Sequence, residues 1–350
     1  MKARVRQNLC NMKKYLFIIA ALTVSITACT NKKMDAGIKL ENLDKSARPG
    51  DNFYQFANGG WMENNPITAE YSRFGSFDKL AEDTREQLKE LIDSIATADN
   101  EYGTNAQKIA DLYNMVLDTA KRNAEGIEPL KPLIARIEAI DSRSEIFKEM
   151  TAMDFYGVGG LFGIGIGADM MDSKMNIVSI GQGGLSLGEK EYYLDEDEAT
   201  VKIREAFKKH VVRMFTLFGY SEAEAQKKME SVMRIETRIA EKSYNNVQLR
   251  DPAANYHKMT YAELKKEFKG IDWDMLFTTL GMEGVEEVDM NQPEPLHEVE
   301  AILADASVED LKNLMLWQLI DANASSLTTE IDEANFDFYG RVMSGQQEQK

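Results

Sequence analysis

Three histidines, at positions 210, 257 and 297, are the only imidazoles this 350-residue chain offers for metal or acid–base chemistry. One opens a suggestive run, His297-Glu298-Val299-Glu300-Ala301. A helix that grips zinc needs two imidazoles one turn apart, as H-E-x-x-H, with the inner glutamate as base. Alanine stands in the second place, so the pair is missing. The run follows Pro293 and Pro295 and reads as a solvated histidine beside acids. Lys208 and Lys209 beside His210 predict a surface position for that ring. His257 follows Tyr256 just before a helix-capping pattern. The wide spacing of the three leaves no local ligand pair.

Other chemistries find as little. The two cysteines are Cys10 and Cys29, so everything after residue 29 lacks a thiol nucleophile, a disulfide and a thiolate ligand. No G-x-S-x-G elbow is present for a serine nucleophile with its base and orienting acid. The glycine-rich run 157–167 misses the strict G-x-G-x-x-G cradle, because Phe162 and Ala168 fill the third-glycine positions. Paired carboxylates for glycosidase-type catalysis could come from Asp195-Glu196-Asp197-Glu198. A four-acid run reads better as a solvated loop or the negative start of a helix. No catalytic, metal or cofactor residue is therefore assigned within the chain.

Charge and patterning define the elements that remain. The formal charge is −17. The first 28 residues hold Lys2, Arg4, Arg6, Lys13 and Lys14 and no acid, and removing them leaves 36 basic against 58 acidic residues. Such a body repels phosphate backbones, which excludes nucleic acid as a partner. Lys13 and Lys14 precede the apolar run Leu16 to Leu22, too short to span a bilayer and typical of a signal peptide. It ends in Ile26-Thr27-Ala28-Cys29, which resembles a bacterial lipobox. That resemblance implies cleavage before Cys29 and a lipid on its thiol. Residues 29–45 then read as a polar tether.

Most of the rest has helical period. Phe77, Leu80, Ala81, Leu88, Leu91, Ile92 and Ile95 share one face behind an N-cap at Ser76, and Ile109, Leu112, Tyr113, Val116 and Ala120 share another. Ser142-x-x-Glu145, Ser221-x-x-Glu224 and Thr260-x-x-Glu263 are capping-box patterns. Phe207, Val211, Met214, Phe215 and Phe218 form a stripe ending at a C-cap, Gly219. Val232, Ile235, Ile239 and Ala240 continue in the next helix, and Val308, Leu311, Leu314, Met315 and Ile320 form another. Period-2 alternation on both sides of 169–174 predicts a small β-hairpin near 160–181. The expected fold is mainly α, a large multi-helix lobe with that hairpin.

Four segments in order resemble the neprilysin and endothelin-converting-enzyme family of zinc metallopeptidases. The first is Pro49-Gly50-Asp51-Asn52-Phe53-Tyr54-Gln55-Phe56-Ala57-Asn58-Gly59-Gly60-Trp61, where Asn52 replaces a usual aspartate. The second is Gln182-Gly183-Gly184-Leu185-Ser186-Leu187 with Tyr192-Tyr193-Leu194-Asp195, where Gly188 replaces a usual proline. The third holds Glu236, Ala240, Arg250-Asp251-Pro252, Tyr256-His257-Lys258-Met259-Thr260 and Glu263-Leu264, with His257 in place of the common asparagine. The fourth is Asn335-Phe336-Asp337-Phe338-Tyr339-Gly340 with Ser344-Gly345. By themselves, Gly59, Gly60 and Trp61 suggest a turn with a buried aromatic, and Arg250-Asp251-Pro252 a helix end with an ion pair.

The resemblance covers about residues 46–350 and implies the N-terminal, non-catalytic part of a lipid-anchored bacterial peptidase. In that family two histidines and a more distant glutamate hold zinc, and all lie beyond the matched blocks. The implied organisation is a signal peptide (1–28), a tether (29–45), a segment packing on a catalytic lobe (46–75) and a helical peptidase domain (76–350) that ends before the zinc site. Its implied role is to wall a chamber for peptide substrates, inactive alone, with the catalytic lobe supplied by missing sequence or another chain. The location would be the cell envelope, periplasmic or surface-exposed, held to the membrane through Cys29. The rival expectation is a non-enzymatic envelope lipoprotein that reuses the lobe as a binding module.

Overall fold

A computed structural model describes residue 37 and residues 39–349. The signal-peptide reading and Cys29 lie outside the described residues. The described chain is mainly α, with fourteen α-helices and one small four-stranded sheet.

The chain divides into two compact units, at residue 67. In the first, helix α1 (Phe53–Asn64) is capped by Asn52, whose side chain accepts from the Gln55 N–H. The Asp44 carboxylate accepts from Ser46 and from Gln55 Nε2 at 2.9 Å. Those bonds hold it at about 2, well below the usual carboxylate range. Gly59 and Gly60 are not a turn: they lie inside α1. A Cβ on Gly60 would sit 2.3 Å from the Glu41 carbonyl oxygen, and one on Gly59 would sit 2.5 Å from the Asp44 Cβ. The glycine pair lets residues 41–44 lie directly on the helix. Phe53 and Tyr54 on α1 are exposed.

The second unit begins with a helical hairpin, α2 (Ser76–Ala96) and α3 (Asn105–Leu117). Its N-cap is Gly75, one residue before the expected Ser76. Tyr113 Oη donates to Asp93 at 2.8 Å and ties the two helices. The apolar stripe read from the sequence is real, but most of it is uncovered: Phe77 is 85% exposed, and Leu80, Leu88, Leu91, Leu112 and Val116 are also exposed.

The remaining helices are α4 (Thr119–Glu125), α5 (Lys131–Glu138), α6 (Arg143–Met153), α7 (Glu191–Leu194), α8 (Glu198–Leu217), α9 (Glu222–Lys242), α10 (Tyr261–Glu267), α11 (Trp273–Thr279), α12 (Pro293–Asp305), α13 (Val308–Asn323) and α14 (Thr329–Phe336). The predicted boxes at Ser221 and Thr260 form in both directions. Ser142 caps α6 by accepting from the Glu145 N–H. The chain leaves α8 through Gly219 at φ +94, with the Tyr220 N–H returning to the Phe215 carbonyl, a Schellman-type end that favours glycine. Helices α8, α9 and α13 form the core, burying Phe207, Phe215, Ile235, Ile239, Leu314 and Trp317.

The hairpin exists as β1 (Phe162–Ala168) and β2 (Asn176–Gln182), but it belongs to a mixed sheet of order β1-β2-β4-β3. Strand β4 (Glu287–Met290) runs parallel to β2, and β3 (Lys258–Thr260) antiparallel to β4. Gly183 and Gly184 permit the turn away from β2: a Cβ on either would sit 2.9 Å from the backbone of residues 161–163. Among the described residues no helix is long and apolar enough to cross a membrane.

Candidate functional site

A group of strongly perturbed titratable side chains gathers in the helical core. Glu236 projects from α9 and is completely buried. Its Oε1 accepts from Ser186 Oγ at 2.7 Å, and its Oε2 from Tyr193 Oη at 2.6 Å. The Ser186 N–H adds a longer bond at 3.4 Å. Trp317 Nε1 on α13 donates to Ser186 Oγ at 2.8 Å, and Tyr193 Oη receives the Leu187 N–H. No cation among the described residues pairs with Glu236. Burial therefore pushes its carboxyl up to about 7, against the opposing pull of the Tyr193 and Ser186 hydrogen bonds.

A second acid lies one helix away. Asp321 on α13 receives Tyr339 Oη at 3.0 and 3.1 Å on its two oxygens. Burial pushes it up to about 6, and it in turn adds to the rise at Glu236. Tyr339 belongs to a π-helical segment, Asp337–Met343. Burial, followed by the charge of Asp321, drives the Tyr339 hydroxyl far above the ordinary phenol range.

His210 is not on the surface. It stacks on Phe338 at 5.0 Å and meets Trp317 and Tyr339 edge-on. Its Nε2 is buried without a hydrogen-bond partner among the described residues. Burial, then the charge of Arg213, holds it down at about 4, a neutral ring among aromatics.

The other histidines also have structural surroundings. His257 Nδ1 lies 2.9 Å from the Met290 carbonyl, and its backbone N–H donates to the buried Asp289. Across the sheet, Asp169 receives Tyr256 Oη at 2.8 Å and Lys258 Nζ at 3.3 Å. These bonds and the Met171 N–H, which contributes most, hold Asp169 below the usual range. His297 stands half-exposed on α12 between Glu300 and Glu267. No group of three or more His, Cys, Asp or Glu side chains is placed to hold a metal among the described residues. These side chains do not fit a zinc ion.

The acid run of the sequence begins a helix. Asp197 caps α8 by accepting from the Ala199 and Thr200 N–H groups. Glu196 pairs with Arg204, whose guanidinium also donates to the carbonyls of Tyr192, Tyr193 and Asp195. Arg250 forms no ion pair with Asp251; that carboxylate instead accepts from the Ala253 and Ala254 N–H groups, which turns the chain.

Surface clefts of about 280 Å³ beside Arg122 and Ser326, and about 400 Å³ beside Arg143 and Lys148, share no residue with the acid cluster. With no exposed surface, Glu236 has no route to a substrate. What the cluster can do is lock α7, α9, α13 and the π-helical segment together. Ser186 and Tyr193, Glu236, and Tyr339 come from three of the sequence blocks singled out above, so those blocks meet in space as packing and hydrogen bonding.

The sequence profile of peptidase family M13, in its N-terminal part, matches residues 49–350. The chain belongs to that family. It is similar to mouse endothelin-converting enzyme 1, with 27% identity over an alignment 328 residues long that covers 87% of this chain and 41% of that protein. It is similar to neprilysin of Pongo abelii, with 26% identity over 85% of this chain and 43% of that protein. The zinc metalloprotease ZMP1 of Mycobacterium tuberculosis, solved with an inhibitor, superposes with a TM-score of 0.84 at 32% identity, covering 90% of this chain and 48% of that one. The chain thus spans less than half the length of these relatives. Within family M13 it is an N-terminal region, and the acid cluster is part of how that region folds.

Proposed function

We propose that this chain is the helical, substrate-chamber lobe of an M13 zinc endopeptidase and is inactive without a zinc-bearing lobe. The observation that carries the proposal is the apolar face of α2 and α3, exposed on a chain that matches less than half of its peptidase relatives. Large apolar side chains left exposed together on a folded chain mark a protein contact. In the first unit, Phe53 and Tyr54 on α1 are exposed apolar side chains as well. The substrates would be peptides, and the zinc would be held by the partner lobe.

Two measurements test this. Metal analysis of the purified 350-residue chain should find no stoichiometric zinc, and no peptide should be hydrolysed, because a catalytic zinc needs about three protein ligands. One tightly held zinc with chelator-sensitive hydrolysis would overturn the reading. Sequencing the coding DNA past Lys350 should reveal an H-E-x-x-H frame; an unrelated frame would favour a free envelope-binding lipoprotein instead.

The proposed location is the cell envelope, with a lipid on Cys29 as the membrane anchor. Changing Cys29→Ser should move the protein from the membrane to the soluble fraction. If that variant stays on membranes through salt washing, the anchor lies elsewhere.

A further inference from the structure

Strand β1 forms one edge of the sheet, and its sequence, Phe-Gly-Ile-Gly-Ile-Gly-Ala, carries no charge and no proline. Its register with β2 is continuous from Phe162↔Gln182 to Ala168↔Asn176, so no bulge twists it away. Folded proteins normally blunt a free edge with lysine, proline, a bulge or a short strand. Seven residues without any of these form a row of backbone donors and acceptors that no other strand among the described residues pairs with.

The hydrogen-bond alternation shows which groups face outward. The Asp169 N–H donates to the Met175 carbonyl at 2.9 Å, next to the last register pair. Hydrogen-bonded pairs alternate along an antiparallel ladder. Gly167, Gly165 and Gly163 therefore bond to β2, while Ala168, Ile166, Ile164 and Phe162 turn their N–H and C=O outward. Ile180 agrees: it is paired with Ile164, and its carbonyl is used by the Asn291 N–H on the far side of β2.

The two faces of this edge differ. Ile164 and Ile166 continue the row of buried Ile180 and Val178, yet Ile166 is 61% exposed, as a row missing its next member would be. On the opposite face, Gly165 and Gly167 have open space where a Cβ would stand.

We infer that β1 binds an extended peptide as a fifth strand, with apolar residues at alternate positions and neutral or cationic residues between them. The apolar positions would cover Ile164 and Ile166, and the intervening ones would pass over the open glycines. Main-chain bonds would supply the attachment and alternate side chains the selectivity. The body beyond residue 28, with 36 basic against 58 acidic residues, favours a cationic strand and disfavours a second copy of itself. The choice of a peptide rests on the peptidase reading above. The test reads binding without hydrolysis, so an unoccupied edge and an inactive lobe are separate failures.

The probe is acetyl-Lys-Val-Lys-Val-Lys-Val-amide, fluorescently labelled and titrated against the full chain. Binding should slow amide exchange at Ile164 and Ile166. It should weaken by about tenfold or more when the inward-facing amides of the probe are N-methylated, since each lost hydrogen bond removes a main-chain contact. Ile166→Pro, which removes an outward N–H at a position where edge strands tolerate proline, should weaken it similarly. The N-methylated probe keeps the test decisive if the proline variant folds poorly. No binding, equal affinity of the N-methylated probe, or a dimer that Ile166→Pro dissociates would each overturn the proposal.

Discussion

Changing Glu236→Gln should flatten the pH dependence of stability, and Glu236→Ala should cost about 3 kcal/mol or more. Alanine would leave the Ser186 hydroxyl and the Tyr193 hydroxyl facing a cavity in the core. The folded carboxyl, at about 7, lies above its unfolded value near 4.5. The folded state thus holds the proton more tightly, and the resulting stabilisation is complete below 4.5 and lost as pH rises through 7. Asp321, raised to about 6, acts in the same direction at lower pH. His210 acts oppositely: lowered to about 4, it stabilises the fold above 6.5 and loses that contribution as pH falls through 4. Between pH 8 and 6.5 Glu236 is therefore the largest of the three contributions, and the difference between wild type and the glutamine variant reads it. Urea unfolding should show the wild type gaining on the order of 1 kcal/mol across it. The glutamine variant should gain little. Parallel curves for the two proteins would mean that Glu236 does not titrate in this range.

The position of Glu236 could be read from the sequence, although its role was not. Residues 232, 235, 236, 239 and 240 are the i, i+3, i+4 stripe of α9, and all are buried. A glutamate on such a stripe signals a buried acid with hydrogen-bond donors near it. The same period places His210 with Phe207, Val211 and Met214 on the buried side of α8. Lys208 and Lys209 were a misleading guide, because adjacent residues on a helix point about 100° apart. Long, capped amphipathic runs were legible because one face and one cap suffice to define each. Strands β3 and β4 were not, since they have three and four residues and carry Lys258, Glu287 and Asp289. Their pairing comes from distant segments and leaves no local period. Gly59 and Gly60 were misread as a turn because nothing in their neighbourhood announces that residues 41–44 pack on the helix there.

The stripe on α2 and α3 raises the opposite problem: its period was correct, but the surface that should bury it was not within reach of the described chain. This allows stability and assembly to be separated. The triple change Leu80→Glu, Leu88→Glu and Leu112→Glu should alter the stability of the 350-residue chain little, about 0.5 kcal/mol or less per site, because all three side chains are already exposed. In an assembled two-lobe enzyme the same changes should be severe. Each leucine buried at an interface contributes about 1.5–3 kcal/mol, so three charges there should remove about 5 kcal/mol or more. That corresponds to a loss of about a thousandfold or more in association. Peptide hydrolysis by the complete enzyme should fall accordingly. Glu86→Lys, a change at an exposed polar site on α2, should leave it unchanged. Full hydrolysis by the triple variant would show that the lobes meet elsewhere. A triple variant whose isolated chain unfolds would show that the stripe is already buried within it.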